Sequence, residues 1–96
     1  MIVSFKDKGT EAVFHGTPVR LIRRFPSDVV RTAERRFDAL NAARALQDLR
    51  VPPGNRLEEL KGELAGWYSI RVNDQWRLVF RWVGSDAHDV WLTDYH

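Results

Sequence analysis

The stretch Trp67-Tyr68-Ser69-Ile70-Arg71-Val72-Asn73-Asp74-Gln75-Trp76-Arg77-Leu78-Val79-Phe80-Arg81-Trp82 sets two alternating runs on either side of a polar turn. Alternation sends successive side chains to opposite sheet faces, and Asn and Asp tolerate the positive φ of tight turns, so the spacing predicts a β-hairpin. Its register follows from the pattern. A two-residue loop at Asn73-Asp74 pairs Arg71 with Trp76 and Ile70 with Arg77, mixing apolar and cationic side chains on both faces. A three-residue loop over Asn73, Asp74 and Gln75 instead pairs Val72 with Trp76, Arg71 with Arg77, Ile70 with Leu78 and Tyr68 with Phe80. That register sorts the faces. Tyr68, Ile70, Val72, Trp76, Leu78, Phe80 and Trp82 form a core face, and Trp67, Ser69, Arg71, Arg77, Val79 and Arg81 form the other. In it Arg77 makes no core contact, so Arg77→Ala is expected to leave the fold intact.

N-terminal to the hairpin the apolar period becomes helical. A helix is predicted from about Ser27 to Ala43, with Ser27 as N-cap, Asp28 in the first turn, and Val30, Ala33, Phe37 and Leu40 facing inward. Its outer face sets Arg31, Glu34, Arg35 and Asp38 three or four apart with opposite signs, as in a solvated salt-bridge lattice. A short helix is expected from Lys8 to His15, closed by Gly16 and Pro18, and another from about Ala45 to Leu49, stopping before Pro52-Pro53-Gly54. Ile2 to Phe5 is read as an opening strand, and Val90 to Tyr95, after the Gly84-Ser85-Asp86 turn, as the last. Apart from that opening strand, the helices thus precede the strands.

The 96 residues, 44% hydrophobic and 29% charged, suit one globular domain over 1–96. With no cysteine, disulfides and Cys-based zinc sites are excluded. No apolar run approaches the ~20 residues of a membrane span, and the start lacks a signal peptide's apolar stretch. A soluble, cytoplasmic protein without membrane contact is expected. The sequence has no His-rich or carboxylate-rich metal spacing, no dinucleotide-binding glycine motif and no G-x-S-x-G elbow, so neither a metal nor another cofactor is expected. Fifteen cations against thirteen anions leave a net charge of only +2, yet twelve of the fifteen are arginine. Arginine's planar fork matches phosphate bidentately. The enrichment points either to phosphate recognition or to a coding bias that fills a solvated surface.

Arg71, Arg77 and Arg81 share a sheet face, and like charges facing each other cost stability, so an anion is expected there. A phosphate backbone would satisfy them, with Trp67 stacking on a base. The other reading is neutralisation by Glu58, Glu59 or Asp94, or by a partner protein. The chain ends Asp94-Tyr95-His96. Histidine titrates near neutral pH, tyrosine can give or take a proton and aspartate can orient either, which are parts for acid–base chemistry or simply the polar end of an edge strand. His15 and His88 lie apart and receive no role.

Met1-Ile2-Val3-Ser4-Phe5, the run from Pro52 through Leu60-Lys61-Gly62, the run from Gly66 to Trp82 and the closing Asp94-Tyr95-His96 together resemble HigB-type toxins of the RelE/ParE superfamily. The similarity spans essentially the whole chain. It implies a small α+β, RelE-like fold akin to microbial ribonucleases, with N-terminal helices packed on a twisted antiparallel β-sheet. It also implies a ribosome-dependent mRNA endoribonuclease (an mRNA interferase) working at the 30S decoding site of the 70S ribosome, against 16S rRNA. A HigA-like helix-turn-helix antitoxin would hold it inactive, and operator DNA would be reached only through that antitoxin. Position by position, Lys61 matches a cationic active-site lysine, Arg77 the arginine on the scissile phosphate, and Asp94, Tyr95 and His96 the C-terminal catalytic group. Some HigB toxins carry histidine three positions before that lysine, where this chain has Glu58. Arg71, Arg81, Trp67, Arg56 and the helix residues Arg31 and Arg35 are the expected RNA contacts. Glu58 also sustains the alternative of a catalytically weak antitoxin- or RNA-binding module acting mainly as a co-repressor component. The terminal Asp94-Tyr95-His96 argues against gyrase poisoning of the ParE kind.

Overall fold

In the computed structural model, which describes residues 1–94, helices α1 (Lys8–His15), α2 (Val19–Ile22) and α3 (Ser27–Ala42) precede strands β1 (Glu58–Glu59), β2 (Trp67–Arg71), β3 (Trp76–Val83) and β4 (Asp86–Asp94). Strand order follows chain order, and every neighbouring pair is antiparallel. The fold is α+β.

The hairpin adopts the three-residue-loop register, with Arg71 opposite Arg77, Ile70 opposite Leu78 and Tyr68 opposite Phe80. Asn73 closes the turn: its side-chain oxygen accepts from the backbone N–H of Gln75 at 2.8 Å and of Trp76 at 2.7 Å. Ile70, Val72, Leu78 and Phe80 are buried beneath the helices, and Tyr68, Trp76 and Trp82 pack around them. Against this face α3 lays Val29, Ala33, Phe37 and Leu40. Val29, not Val30, takes the fully buried position, with Val30 at the margin. The N-cap of α3 is Pro26, not Ser27, and no side chain caps the helix. Proline's fixed φ, here −56°, already supplies the extended residue leading into the first turn.

Helix α1 matches its expected span and ends on Gly16 in the left-handed region at φ 80, the Gly16 N–H donating to the Ala12 carbonyl. Two other expectations are corrected. The segment after α3 is a 3₁₀ turn over Leu46–Arg50, and the Asp48 carboxylate accepts from the backbone N–H groups of Arg44 and Ala45 at 3.0 and 3.1 Å. The opening segment is not a strand: Ile2 and Phe5 form isolated parallel bridges to Ala87 and Val90 at the outer edge of β4. Between them β4 bulges, with Asp89 at φ 52, and the Asp89 N–H donates to the Ser4 hydroxyl at 2.8 Å. Farther along the same edge, the Leu92 N–H donates to the buried Thr10 hydroxyl oxygen at 2.9 Å and ties α1 to the sheet.

Candidate active face of the sheet

The face turned away from the helices carries Trp67, Ser69, Arg71, Arg77, Val79 and Arg81, with Trp91 and Thr93 opposite Val79 and Arg77. It is not bare. Ser69 and Val79 are fully buried, and Val79 lies outside the main core, so the larger side chains of this face close over its middle.

Arg77 is the most firmly held of them, its side chain 14% exposed. Its Nε donates to Ser69 Oγ at 2.8 Å and its Nη2 to the Arg56 carbonyl at 2.7 Å. The loop presenting that carbonyl is pinned by buried Asn55, whose Nδ2 donates to the carbonyls of Leu49 and Val51 at 3.2 and 3.3 Å. Glu58, opposite Ser69 on β1, brings a carboxylate oxygen to 3.8 Å from Arg77 Nη2. That separation is too long for a hydrogen bond, so the attraction is Coulombic alone.

The other two arginines also meet carboxylates. Arg71 is paired with Asp74 of the turn. Arg81 donates from Nε to Asp89 Oδ2 at 2.8 Å, and its Nη2 forms an ion pair with the same oxygen at 2.8 Å. Glu58 is among the carboxylates that the sequence offers for this role; alternation does not point to Asp74 or Asp89, because one belongs to the turn and the other to a bulge. Arg36 on α3 donates from Nε to the Arg71 carbonyl at 2.9 Å. Burial, and then the neighbouring guanidinium groups of Arg35 and Arg71, lower the Arg36 guanidinium below its ordinary value. Positive charge thus continues from α3 around to the hairpin end.

Of the expected site residues, the fold brings Arg77 and Glu58 together, with Arg56 contributing a backbone carbonyl. Lys61 is exposed where the chain leaves the edge of β2, one residue past Leu60, whose N–H donates to the Trp67 carbonyl at 2.8 Å. Asp94 stands opposite Trp76, whose ring packs 5.5 Å from Phe25, so it belongs to the helix side of the sheet end, and it accepts from Gln75 Nε2 at 2.8 Å. Tyr95 and His96 lie outside the described residues. Arg31 and Arg35 are exposed on α3, which covers the opposite face, and do not join Arg77 directly. Trp67 is part-exposed, with the Arg81 guanidinium 5.9 Å from its ring centre. Sequence reading missed Trp91 and Lys6. The Lys6 ammonium sits 3.6 Å from the Trp91 ring centre and 5.8 Å from that of Trp67. Extending the hairpin's alternation to β4 points to Trp91; nothing local points to Lys6, which arrives through the N-terminal segment. Among the described residues no group of three or more histidine or acidic side chains is placed to hold a metal ion, and no helix is long and apolar enough to cross a membrane.

A family model described as RelE-like toxin of type II toxin-antitoxin system HigB matches residues 3–96. The chain is 45% identical over 92 residues to Toxin HigB-1 of Vibrio cholerae serotype O1, covering 96% of this chain and 95% of that protein. It is 31% identical over 96 residues to Endoribonuclease HigB of Proteus vulgaris, covering 100% of both. Among solved structures, the heterotetrameric YoeB-YefM toxin-antitoxin complex of Staphylococcus aureus has a chain similar at TM-score 0.63 and 16% identity, covering 100% of this chain and 98% of that one. A YafQ mutant from E. coli is similar at TM-score 0.64 and 11% identity, covering 98% and 93%. At such identities the structural likeness concerns the fold.

Proposed function

The chain belongs to the HigB-like family of RelE-like toxins of type II toxin–antitoxin systems, and from that premise we propose that it is an endoribonuclease that cuts mRNA on the ribosome by metal-independent acid–base chemistry. The observation that carries this reading is Arg77, a guanidinium fixed by Ser69 and the Arg56 carbonyl beside the Glu58 carboxylate on the helix-free face. A cation oriented before substrate arrives stabilises developing charge without reorganising.

RNA brings its own nucleophile, the 2′-OH. The protein has to supply a base for that proton, cations for the phosphorane and an acid for the departing 5′-oxygen. Arg77 holds the scissile phosphate and Lys61 adds a second cation. In the C-terminal group Tyr95 and His96 exchange protons with the reacting oxygens and Asp94, from the helix side of the sheet end, orients them, while Glu58 supports them as a carboxylate beside the phosphate. The products are a 2′,3′-cyclic phosphate or 3′-phosphate and a 5′-OH. Arg71, Arg81, Trp67 and Arg56 line the RNA, while Arg31 and Arg35 reach 16S rRNA at the 30S decoding site of the 70S ribosome. A HigA-like helix-turn-helix antitoxin holds the toxin inactive in the cytoplasm, and operator DNA is contacted through it alone.

Incubation of the purified chain with translating ribosomes and with naked RNA tests the reading. Cleavage of translating mRNA that spares naked RNA is expected. Efficient cutting of naked RNA would overturn ribosome dependence, and no cutting of either would overturn the nuclease.

A further inference from the structure

On the helix-free face Trp91 and Lys6 are left unused by the chemistry above. Trp91 stands opposite Val79, which stands opposite Ser69, the residue whose hydroxyl holds Arg77. Trp67 lies two residues along β2 from Ser69, about 7 Å at ordinary strand rise. The Arg77 guanidinium and the two indoles therefore fall within the reach of one nucleotide, over a floor formed by buried Val79. Lys6 is drawn over them by the N-terminal segment, its N–H donating to the Val90 carbonyl at 2.9 Å. Its ammonium then rests 3.6 Å from the Trp91 ring centre, although Lys6 itself is exposed.

Resting on the endoribonuclease reading, we infer that Trp91 and Lys6 complete, with Trp67, a nucleobase subsite for single-stranded RNA that seats the base next to the phosphate on Arg77. Magnitudes decide the occupant. An exposed cation–π contact is worth roughly two- to fivefold in an equilibrium constant. Stacking of a base on an aromatic ring is worth roughly five- to 150-fold. A base therefore displaces the Lys6 ammonium from Trp91, and the flexible lysine stem delivers that charge to a backbone phosphate. Lys6 covers the indole while RNA is absent and gains an anionic partner when RNA is bound. Every base has a π-face, so the subsite supplies affinity and register rather than sequence choice.

The test pairs protein variants with substrates, using mRNA on ribosomes, or naked RNA if the unaltered protein cuts that, with an intact or an abasic nucleotide at each position flanking the cut. Trp91→Ala is expected to slow cleavage of the intact substrate about tenfold and to change little on one abasic substrate, because indole and base are each other's partners. Trp91→Phe keeps a smaller ring and is expected to show the same selective pattern at reduced size, which preserves the test if the alanine variant fails to fold. Lys6→Met is expected to slow cleavage severalfold and to reduce its salt dependence by about one phosphate contact. Equal losses on the intact and on every abasic substrate would overturn the subsite alone. If the unaltered protein cleaves neither RNA, the endoribonuclease reading falls and takes the subsite with it.

Discussion

Arg77 is a structural tie as well as the proposed holder of the phosphate, and the two roles make different demands on a substitution. Removing its side chain leaves the fully buried Ser69 hydroxyl without that donor, whereas the exposed Arg56 carbonyl can turn to water. An abandoned polar group costs about 1–3 kcal/mol. Arg77→Ala is thus expected to keep the fold but to lower unfolding stability visibly in a urea titration, and to cut cleavage by about 10²-fold or more. A variant of unchanged stability and full activity would remove Arg77 from both roles. Glu58 offers a finer discrimination. Its carboxylate, 3.8 Å from Arg77, would repel the phosphate that Arg77 is proposed to hold. If Glu58 assists proton transfer, Glu58→Gln lowers kcat while also lowering KM, because removed repulsion tightens RNA binding. A rise in kcat would instead mark Glu58 as a competitor of the substrate and favour the weakly catalytic binding module.

Among the elements, the hairpin was legible because period-two alternation and a polar three-residue turn agree on one register, and a slip by one residue would expose the whole core face. The partners of its arginines were not legible. Asp89 reaches Arg81 only because β4 bulges and takes φ 52 there, a backbone choice that alternation does not encode. The opening segment was misread for the same reason: the bulge gives the Asp89 N–H to the Ser4 hydroxyl, so a regular ladder cannot form. Four-residue α2 spans little more than one helical turn and left no periodic trace. The contact of α1 with β4 gives an element-scale prediction. Thr10 is fully buried and its hydroxyl is the acceptor for the Leu92 N–H. Thr10→Val conserves shape but orphans that N–H, so a loss of about 1–3 kcal/mol is expected in chemical denaturation, with Thr10→Ser losing less. Equal stability of Thr10→Val and the unaltered protein would show that another acceptor takes over.

For the whole molecule, the decisive asymmetry is that helices cover one face of a four-stranded sheet and leave the other to the side chains proposed to meet RNA. Net charge of +2 conceals this, because each arginine of the helix-free face has a carboxylate near it while Arg31 and Arg35 stand exposed on α3. By residue type alone the terminal Asp94-Tyr95-His96 offers either acid–base parts or the polar end of an edge strand, and only the resemblance points to the first. Its role can be separated from the fold. The described sheet runs through the pairing of Asp94 with Trp76, so deletion of His96 leaves every described strand residue in place. Stability is expected to change by no more than about 1 kcal/mol. Arg77 and Lys61 remain, so ribosome binding is expected to survive and to keep its steep decline with salt. Cleavage is expected to collapse, and a pH–rate profile of the unaltered toxin to show a limb near the ordinary histidine value of about 6.5 that the deletion lacks. The outcome that reverses the assignment is near-normal cleavage with an unchanged profile: the proton-transfer role then passes to Glu58, the one carboxylate found beside Arg77 among the described residues.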